Sequence, residues 1–367
     1  MKNPVLFLAI LSILGNGCNR RTPEFKVGAD LPLTGTVAYY GTSAMKGIDL
    51  ALDEIREENG FKNAKVQAIF EDNQGEATGA ITAMNKLVDI DDVPAVIGGG
   101  SSIESMAAAP IATKSKTVLL SPISSATSLS GISPYFFRTC PSDLVQARNL
   151  AEWILQSGHD TVALIYVNST WGTAFNGNFV NYFSSNGGRI LKMQSSDPGE
   201  LNFRTQLSIV KSLKPSALIA IVYAKEGGVL VRQARDLGLN IPIYGADPWS
   251  QKDFRIGAGK FADGIMYTTP VQYDGPSFDA FKAKFLKKYN EEPDVYASNG
   301  YDCMQLLADA YENGARTGPQ FQSFLNHVKD FMGTTGVTTF DSNGDVVGKK
   351  FGRFLIKNGE PIQVKSR

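Results

Sequence analysis

Short apolar runs alternate along this chain with longer segments in which apolar residues recur every three or four positions. That rhythm constrains the fold more than any other feature. From Phe25 it reads strand (Lys26–Leu31), helix (Thr42–Glu58), strand (Ala64–Glu71), helix (Glu76–Asp89), strand (Val93–Gly98), helix (Ser102–Thr113) and strand (Thr117–Ser121). The first helix shows the spacing plainly: Met45, Ile48, Leu52 and Ile55 share one face, and Asn59-Gly60 stops it. After Arg138 the rhythm starts afresh, with helix Leu144–Gln156, strand Thr161–Val167, helix Trp171–Ser185, strand Arg189–Met193, helix Phe203–Leu213, strand Ala217–Tyr223, helix Glu226–Leu237 and strands Pro242–Gly245 and Gly264–Thr269. Alternation of this kind demands parallel strands with helices on both faces. Two series predict two such lobes, and 367 residues exceed what one core usually serves, about 250–300.

The tail breaks the rhythm. Ser277–Tyr289, Val295–Asn313 and Pro319–Phe331 read as helices, and Val337–Phe340 and Lys350–Ile356 flank the turn Asp341–Asp345 as a hairpin. Such leftovers cannot build a domain of their own, so the chain must return to lobes already made. We expect a first lobe of residues 25–141 plus 271–336 and a second of 142–270 plus 337–367, joined by several hinge strands. Asp341–Asp345 resembles the start of a calcium loop, but no acidic residue stands at its twelfth position and a hairpin explains it.

The first seventeen residues stand apart. Met1-Lys2 is followed by an apolar run, Val5–Leu14, too short to span a bilayer but suited to a signal peptide. Gly17-Cys18 resembles the end of a bacterial lipobox, although Gly15 stands where a leucine is expected. The reading is a signal peptide over 1–17, lipidation at Cys18 and a tether over 18–24; a plain cleaved signal with a coincidental cysteine is the alternative. The protein would then be exported, to the periplasm or the cell surface, and held to the membrane by its lipid. Cys140 and Cys303 are expected to be two separate buried thiols.

Lysine plus arginine equals aspartate plus glutamate at 36 each, which argues against a nucleic-acid partner. His159 and His327 are far apart and no Cys/His spacing suggests a metal. Phosphate-loop, zinc-protease and nucleophile-elbow motifs are lacking from the sequence. An enzyme is therefore disfavoured, and no cofactor is called for. In open parallel sheets the ligand sits beyond the carboxyl ends of the strands. The loops there, among them Leu33–Gly41, Gly98–Ser102, Pro122–Ser125, Val167–Trp171, Tyr223–Glu226 and Ala246–Trp249, carry hydroxyls, aromatic rings and glycines with few charges. That composition suits a pocket for a small polar molecule.

The same loops resemble the type I periplasmic binding proteins, in their leucine/isoleucine/valine-binding branch. The likeness runs in order from Leu33-Thr34-Gly35 and Ala38-Tyr39-Tyr40-Gly41 with Gly47, through Glu71-Asp72-Asn73, Gly98-Gly99-Gly100-Ser101-Ser102, Ser121-Pro122-Ile123-Ser124-Ser125 and Pro134-Tyr135-Phe136-Phe137-Arg138, to Gly245-Ala246-Asp247 and Gly300-Tyr301-Asp302. It implies an α/β protein of two Rossmann-like lobes with a multi-strand hinge. Its function would be to capture an amino-acid-like ligand, as a monomer, and pass it to the permease subunits of an ABC importer. It further implies that Ser102, the backbone of Ile123, Ser124 and Ser125, and the Ser125 hydroxyl hold a ligand carboxylate. Asp247 would face the ligand ammonium where that branch carries a longer glutamate. Tyr40, Trp171 and Tyr223 would line the cleft.

Each assignment has a plainer rival. Ser102 is also placed to cap a helix, Ser124 and Ser125 to form a turn, and Asp247 to cap a helix near Trp249. Tyr40, Trp171 and Tyr223 could be core aromatics, with Tyr223 evenly balanced, and Asp72 is expected to orient a loop. At the level of function the rival is a sensory binding protein that reports an amino acid, amide or small carboxylate to a receptor.

Overall fold

The computed structural model describes residues 23–364 apart from 58–60, 62, 63 and 272; the signal-peptide, Cys18 and most of the tether readings lie outside them. In chain order the elements are β1 (Glu24–Leu31), α1 (Ala38–Glu57), β2 (Lys65–Asp72), α2 (Ala77–Asp89), β3 (Ala95–Gly98), α3 (Ser102–Ser115), β4 (Val118–Ser121) and β5 (Phe136–Arg138). Then come α4 (Asp143–Gln156), β6 (Thr161–Val167), α5 (Thr170–Ser185), β7 (Arg189–Ser196), α6 (Arg204–Leu213), β8 (Ala217–Ile221), α7 (Ala224–Asp236), β9 (Ile243–Gly245), α8 (Lys252–Ala258) and β10 (Met266–Pro270). The chain ends with α9 (Pro276–Tyr289), α10 (Val295–Glu312), α11 (Gly318–Asn326), β11 (Phe331–Gly333), β12 (Gly336–Thr338), β13 (Phe351–Lys357) and β14 (Glu360–Val364).

Two sheets result. The first has the order β2-β1-β3-β4-β5, with every pairing parallel. The second has the order β14-β13-β10-β9-β8-β6-β7, parallel except where β13 meets β10 and β14. Strands β3, β4 and β8 are buried along their whole length, because helices cover both faces. Each sheet has its own core. Val27, Ile48, Ile97 and Leu120 belong to the first, and Leu164, Phe175, Ile219 and Tyr244 to the second. Among the described residues no helix is long and apolar enough to cross a membrane.

The tail departs from its sequence reading. Val337–Phe340 and Lys350–Ile356 do not pair. Phe340 bridges Val346 instead, closing a small loop around Asp341–Asp345, while β13 runs antiparallel to β10 in the second sheet. Phe340 and Val346 are buried in the first core, with Phe340 edge-on to Phe137 at 5.4 Å. Asp345 accepts from Arg138 Nε at 2.6 Å. These contacts hold the chain in the first lobe to Val346, so the third crossing falls at 347–350 rather than at 336/337. The expected helix Pro319–Phe331 likewise stops at Asn326, and Phe331 begins β11. Cys140 and Cys303 are buried, free thiols.

Helix α10 returns from the tail to pack on α1, and the approach is unusually close. A Cβ on Gly47 would lie 1.9 Å from the Ala297 carbonyl oxygen, and one on Gly300 2.3 Å from that of Ala44. The obstacles are backbone, which cannot swing aside. Gly47→Ala and Gly300→Ala should each destabilise the protein by about 1–3 kcal/mol, read as a lowered midpoint in urea unfolding; an unchanged midpoint would mean that the helices separate freely.

Candidate functional site

The carboxyl ends of the two sheets face one another across a cleft that holds a pocket of about 350 Å³. The first lobe contributes Tyr40, Gly100, Ser101, Ser102, Ile123, Ser125 and Tyr296; the second contributes Trp171, Tyr223, Asp247 and Pro248.

Two serine loops form the first-lobe wall, and a buried polar framework shapes them. The loop after β3 is held from below by Glu104, whose Oε2 accepts from Gly100 N at 2.7 Å and from Asn73 Nδ2 at 2.8 Å. Asn73 also donates to Asp30 at 2.8 Å. Burial pushes the Glu104 carboxyl up to about 7 and Asp30 well above its ordinary value. The loop after β4 is gripped by Arg138, which is wholly buried. Its guanidinium donates to the Ala126 carbonyl at 2.8 Å and the Ser130 hydroxyl at 3.0 Å, and its Nε to Asp345. Ser124 stitches the loops together: its hydroxyl lies 2.8 Å from the Ser101 carbonyl, 3.0 Å from that of Gly99 and 2.7 Å from Ser105 Oγ. It is therefore sealed beneath the pocket and does not line it. The Ser102 hydroxyl accepts from Ala126 N at 3.1 Å, which leaves its own proton free to donate. Ser101 Oγ is buried without a partner, and α3 aims its first amides at the same space, a favourable place for an anion.

Asp247 stands opposite, on the short turn Asp247–Ser250 after β9. Its backbone is fixed by Trp249, which is fully buried, stacks on Phe254 at 4.6 Å and donates to the Val222 carbonyl at 3.2 Å. Gly245 is needed there, since a Cβ would lie 2.2 Å from the Trp249 ring. Asp247 Oδ2 accepts from the Tyr296 hydroxyl at 3.0 Å, while Oδ1 is buried and unpartnered. Burial pushes this carboxyl up to about 6. Among the described residues no basic side chain lines the pocket. Aromatic rings form its remaining walls: Trp171 stacks on Tyr223 at 5.4 Å, and Tyr40 meets Tyr296 edge-on at 4.9 Å.

The structure thus brings Tyr40, Ser102, Ile123, Ser125, Trp171, Tyr223 and Asp247 to one pocket and leaves Ser124 outside it. Asp72 orients the neighbouring loop, accepting from Leu33 N at 2.9 Å and the Thr34 hydroxyl at 2.6 Å. Sequence reasoning missed Tyr296; Pro248, Gly100 and Ser101 lie within the loops it inspected but were not singled out. It also missed Asp143, the first residue of α4, which is completely buried with both carboxylate oxygens unpartnered. Burial, and then the charge of Asp247, push Asp143 up to about 8. The pocket can therefore offer neutral donors on one side and negative charge on the other.

A family profile described as periplasmic binding protein matches residues 24–351. The Leu/Ile/Val-binding protein homolog 3 of Brucella melitensis is 24% identical over 345 residues, covering 92% of this chain and 93% of that protein. Among solved structures, a leucine-binding protein from Thermotoga maritima superposes with a TM-score of 0.86 at 26% identity, covering 93% of this chain and 97% of its own. The branched-chain amino acid transporter substrate-binding protein of Streptococcus pneumoniae, in complex with isoleucine, gives 0.85 at 28%, covering 93% of this chain and all of that one.

The buried acids fix the sign of the pH response. Asp143 and Asp247 have folded values raised above the ordinary 3.8, to about 8 and about 6. The folded state therefore binds more protons than the unfolded one across that window, and stability falls as pH rises from about 4 towards 8. Asp143→Asn removes the larger of these contributions. It should raise stability at pH 8 by about 2 kcal/mol or more and flatten the decline, measured by unfolding at pH 5 and pH 8. An equal slope in variant and wild type would contradict the burial of an ionisable Asp143.

Proposed function

The chain belongs to the periplasmic binding protein family, and from that premise we propose that it is the exported solute-binding component of an ABC importer, closing on an α-amino acid with an apolar side chain. The observation that carries this reading is Asp247 Oδ1, buried and unpartnered across the cleft from the serine loops, in a pocket without a basic side chain. A ligand carboxylate is matched by the α3 amides and the Ser101, Ser102 and Ser125 hydroxyls. A ligand ammonium is matched by Asp247 through a charge-assisted bond. A plain carboxylate would leave the Asp247 charge buried and unpaired, which is costly. The rings of Tyr40, Trp171, Tyr223 and Tyr296 favour an apolar side chain, in keeping with the leucine and isoleucine named for the T. maritima and S. pneumoniae proteins.

Capture works by closure. Ligand contacts on both lobes favour the closed state by their differential affinity for it, with movement confined to crossings that include 139–142, 273–275 and 347–350. Delivery follows when a permease pair engages the outer faces of the closed lobes. Lipidation at Cys18 would keep the protein at the membrane beside that permease.

Calorimetry with L-leucine and L-isoleucine tests the site. Asp247→Asn keeps the shape and removes the charge, and losing one buried charged partner costs about 2–5 kcal/mol, roughly thirtyfold to several thousandfold in affinity. Ser102→Ala should cost less, because the α3 amides remain. Unchanged binding in Asp247→Asn with loss in Ser102→Ala would make the ligand a plain carboxylate or amide. Cys18→Ala should release the protein from the membrane fraction and abolish acyl labelling; retention with label intact would contradict the anchor.

A further inference from the structure

The hydrogen bond between Tyr296 and Asp247 joins the two lobes through the protein's own side chains. Tyr296 belongs to the first lobe through α10, which packs on α1; Asp247 stands on the second lobe after β9. Both ends are fixed independently of the bond. The Asp294 carboxylate caps α10, accepting from Tyr296 N at 3.0 Å and Ala297 N at 2.9 Å. The same carboxylate accepts from Ser43 Oγ at 2.5 Å and the Tyr39 hydroxyl at 2.6 Å, so the start of the helix is locked to α1. The Tyr296 ring rests edge-on against Tyr40. On the other side, Trp249 holds the turn that carries Asp247.

We propose that Tyr296 is the positioning residue for Asp247 and, through the same bond, a clasp that favours the closed lobes. The positioning half rests on Asp247 as the ammonium partner; the clasp half stands without it. Two consequences follow from the geometry. With Oδ2 committed to Tyr296, Oδ1 is the one carboxylate oxygen left without a partner for a ligand. A primary ammonium needs only one charged acceptor beside neutral ones, whereas a guanidinium is best met by both oxygens side by side. The bond therefore selects an amino group over a guanidino group. Secondly, a tyrosine hydroxyl donating to a carboxylate is stronger than a neutral bond. A second direct side-chain bond across the cleft, from Asn178 Nδ2 to Thr127 Oγ1 at 3.1 Å, is neutral. Apparent affinity scales with the fraction of protein in the binding-competent form, so the clasp raises affinity without touching the ligand.

The test uses the whole mature chain with one spectroscopic label per lobe, on cysteines introduced at the exposed positions Ile90 and Ile256, since Cys140 and Cys303 are buried. Inter-lobe distances are recorded by single-molecule energy transfer with no amino acid added and again with saturating L-isoleucine. Tyr296→Phe keeps the ring and its packing against Tyr40. It should shift the protein without added amino acid towards the longer distance, lowering the closed-to-open ratio about tenfold, at an unchanged thermal midpoint. Asp247→Asn, whose amide oxygen still accepts from Tyr296, should shift it less. Identical distributions for wild type and Tyr296→Phe would overturn the clasp, even if L-isoleucine compacts both. If Tyr296→Phe opens the protein but L-isoleucine compacts neither form, the clasp stands and the amino-acid reading falls. For positioning, Tyr296→Phe should narrow the preference for L-leucine over L-arginine in calorimetry; an unchanged ratio of affinities would overturn that half.

Discussion

A carboxylate buried between two lobes, with no cation among the described residues that line its pocket, is the constraint around which this molecule is organised. Ionised Asp247 costs free energy when water leaves the cleft, unless something positive takes its place. In the proposed function closure removes that water, and a ligand bearing an ammonium supplies the charge where a ligand without one would not. Recognition and domain closure thus become one event, and the lobes need no other device to distinguish a filled cleft from a wrongly filled one. Asp143, buried nearby with both oxygens unpartnered, adds to the negative character of the site whenever it ionises.

Such a site needs rigid walls, and the first lobe builds them from buried polar groups. Arg138 ties the loop after β4 to Asp345, a residue more than two hundred positions downstream. Glu104, Asn73 and Asp30 hold the loop after β3. Ser124 joins the two loops. None of these side chains lines the pocket, yet they set where Ser101, Ser102 and Ser125 point. The excursion of the tail into the first lobe therefore has a purpose: residues up to Val346 complete the support of the binding loops before the chain crosses for the last time.

Much of this was legible beforehand. The short apolar runs at Val93–Gly98, Thr117–Ser121 and Ala217–Tyr223 announced strands covered on both faces, and the restart after Arg138 announced a second sheet. Inspecting strand ends led to the loops that carry Ser102, Ser125, Trp171 and Asp247, because parallel sheets place their sites there; the resemblance singled out those four, and they line one pocket. The same habit overlooked Tyr296 and Asp143, which stand at the starts of helices; tertiary packing brings Tyr296 to the pocket and buries Asp143 behind it, close enough to feel the charge of Asp247. Tyr296 reads locally as one more apolar position of α10; only the close approach of Gly47 and Gly300 brings it to the cleft. Ser124 was misplaced for a local reason: in a run of hydroxyl residues, sequence cannot say which one turns inward. The hairpin after Val337 was misjudged because Phe340 and Val346 look like strand residues, and only the first core shows where they are buried.

The central claim is that the cleft selects a zwitterion by pairing its ammonium with Asp247. The most direct test is a calorimetric comparison of L-leucine with 4-methylpentanoate, which has the same carboxylate and side chain but no amino group. The account predicts that L-leucine binds at least about thirtyfold more tightly, the lower bound for losing one buried charged partner. Equal affinity for the two, or tighter binding of 4-methylpentanoate, would contradict it.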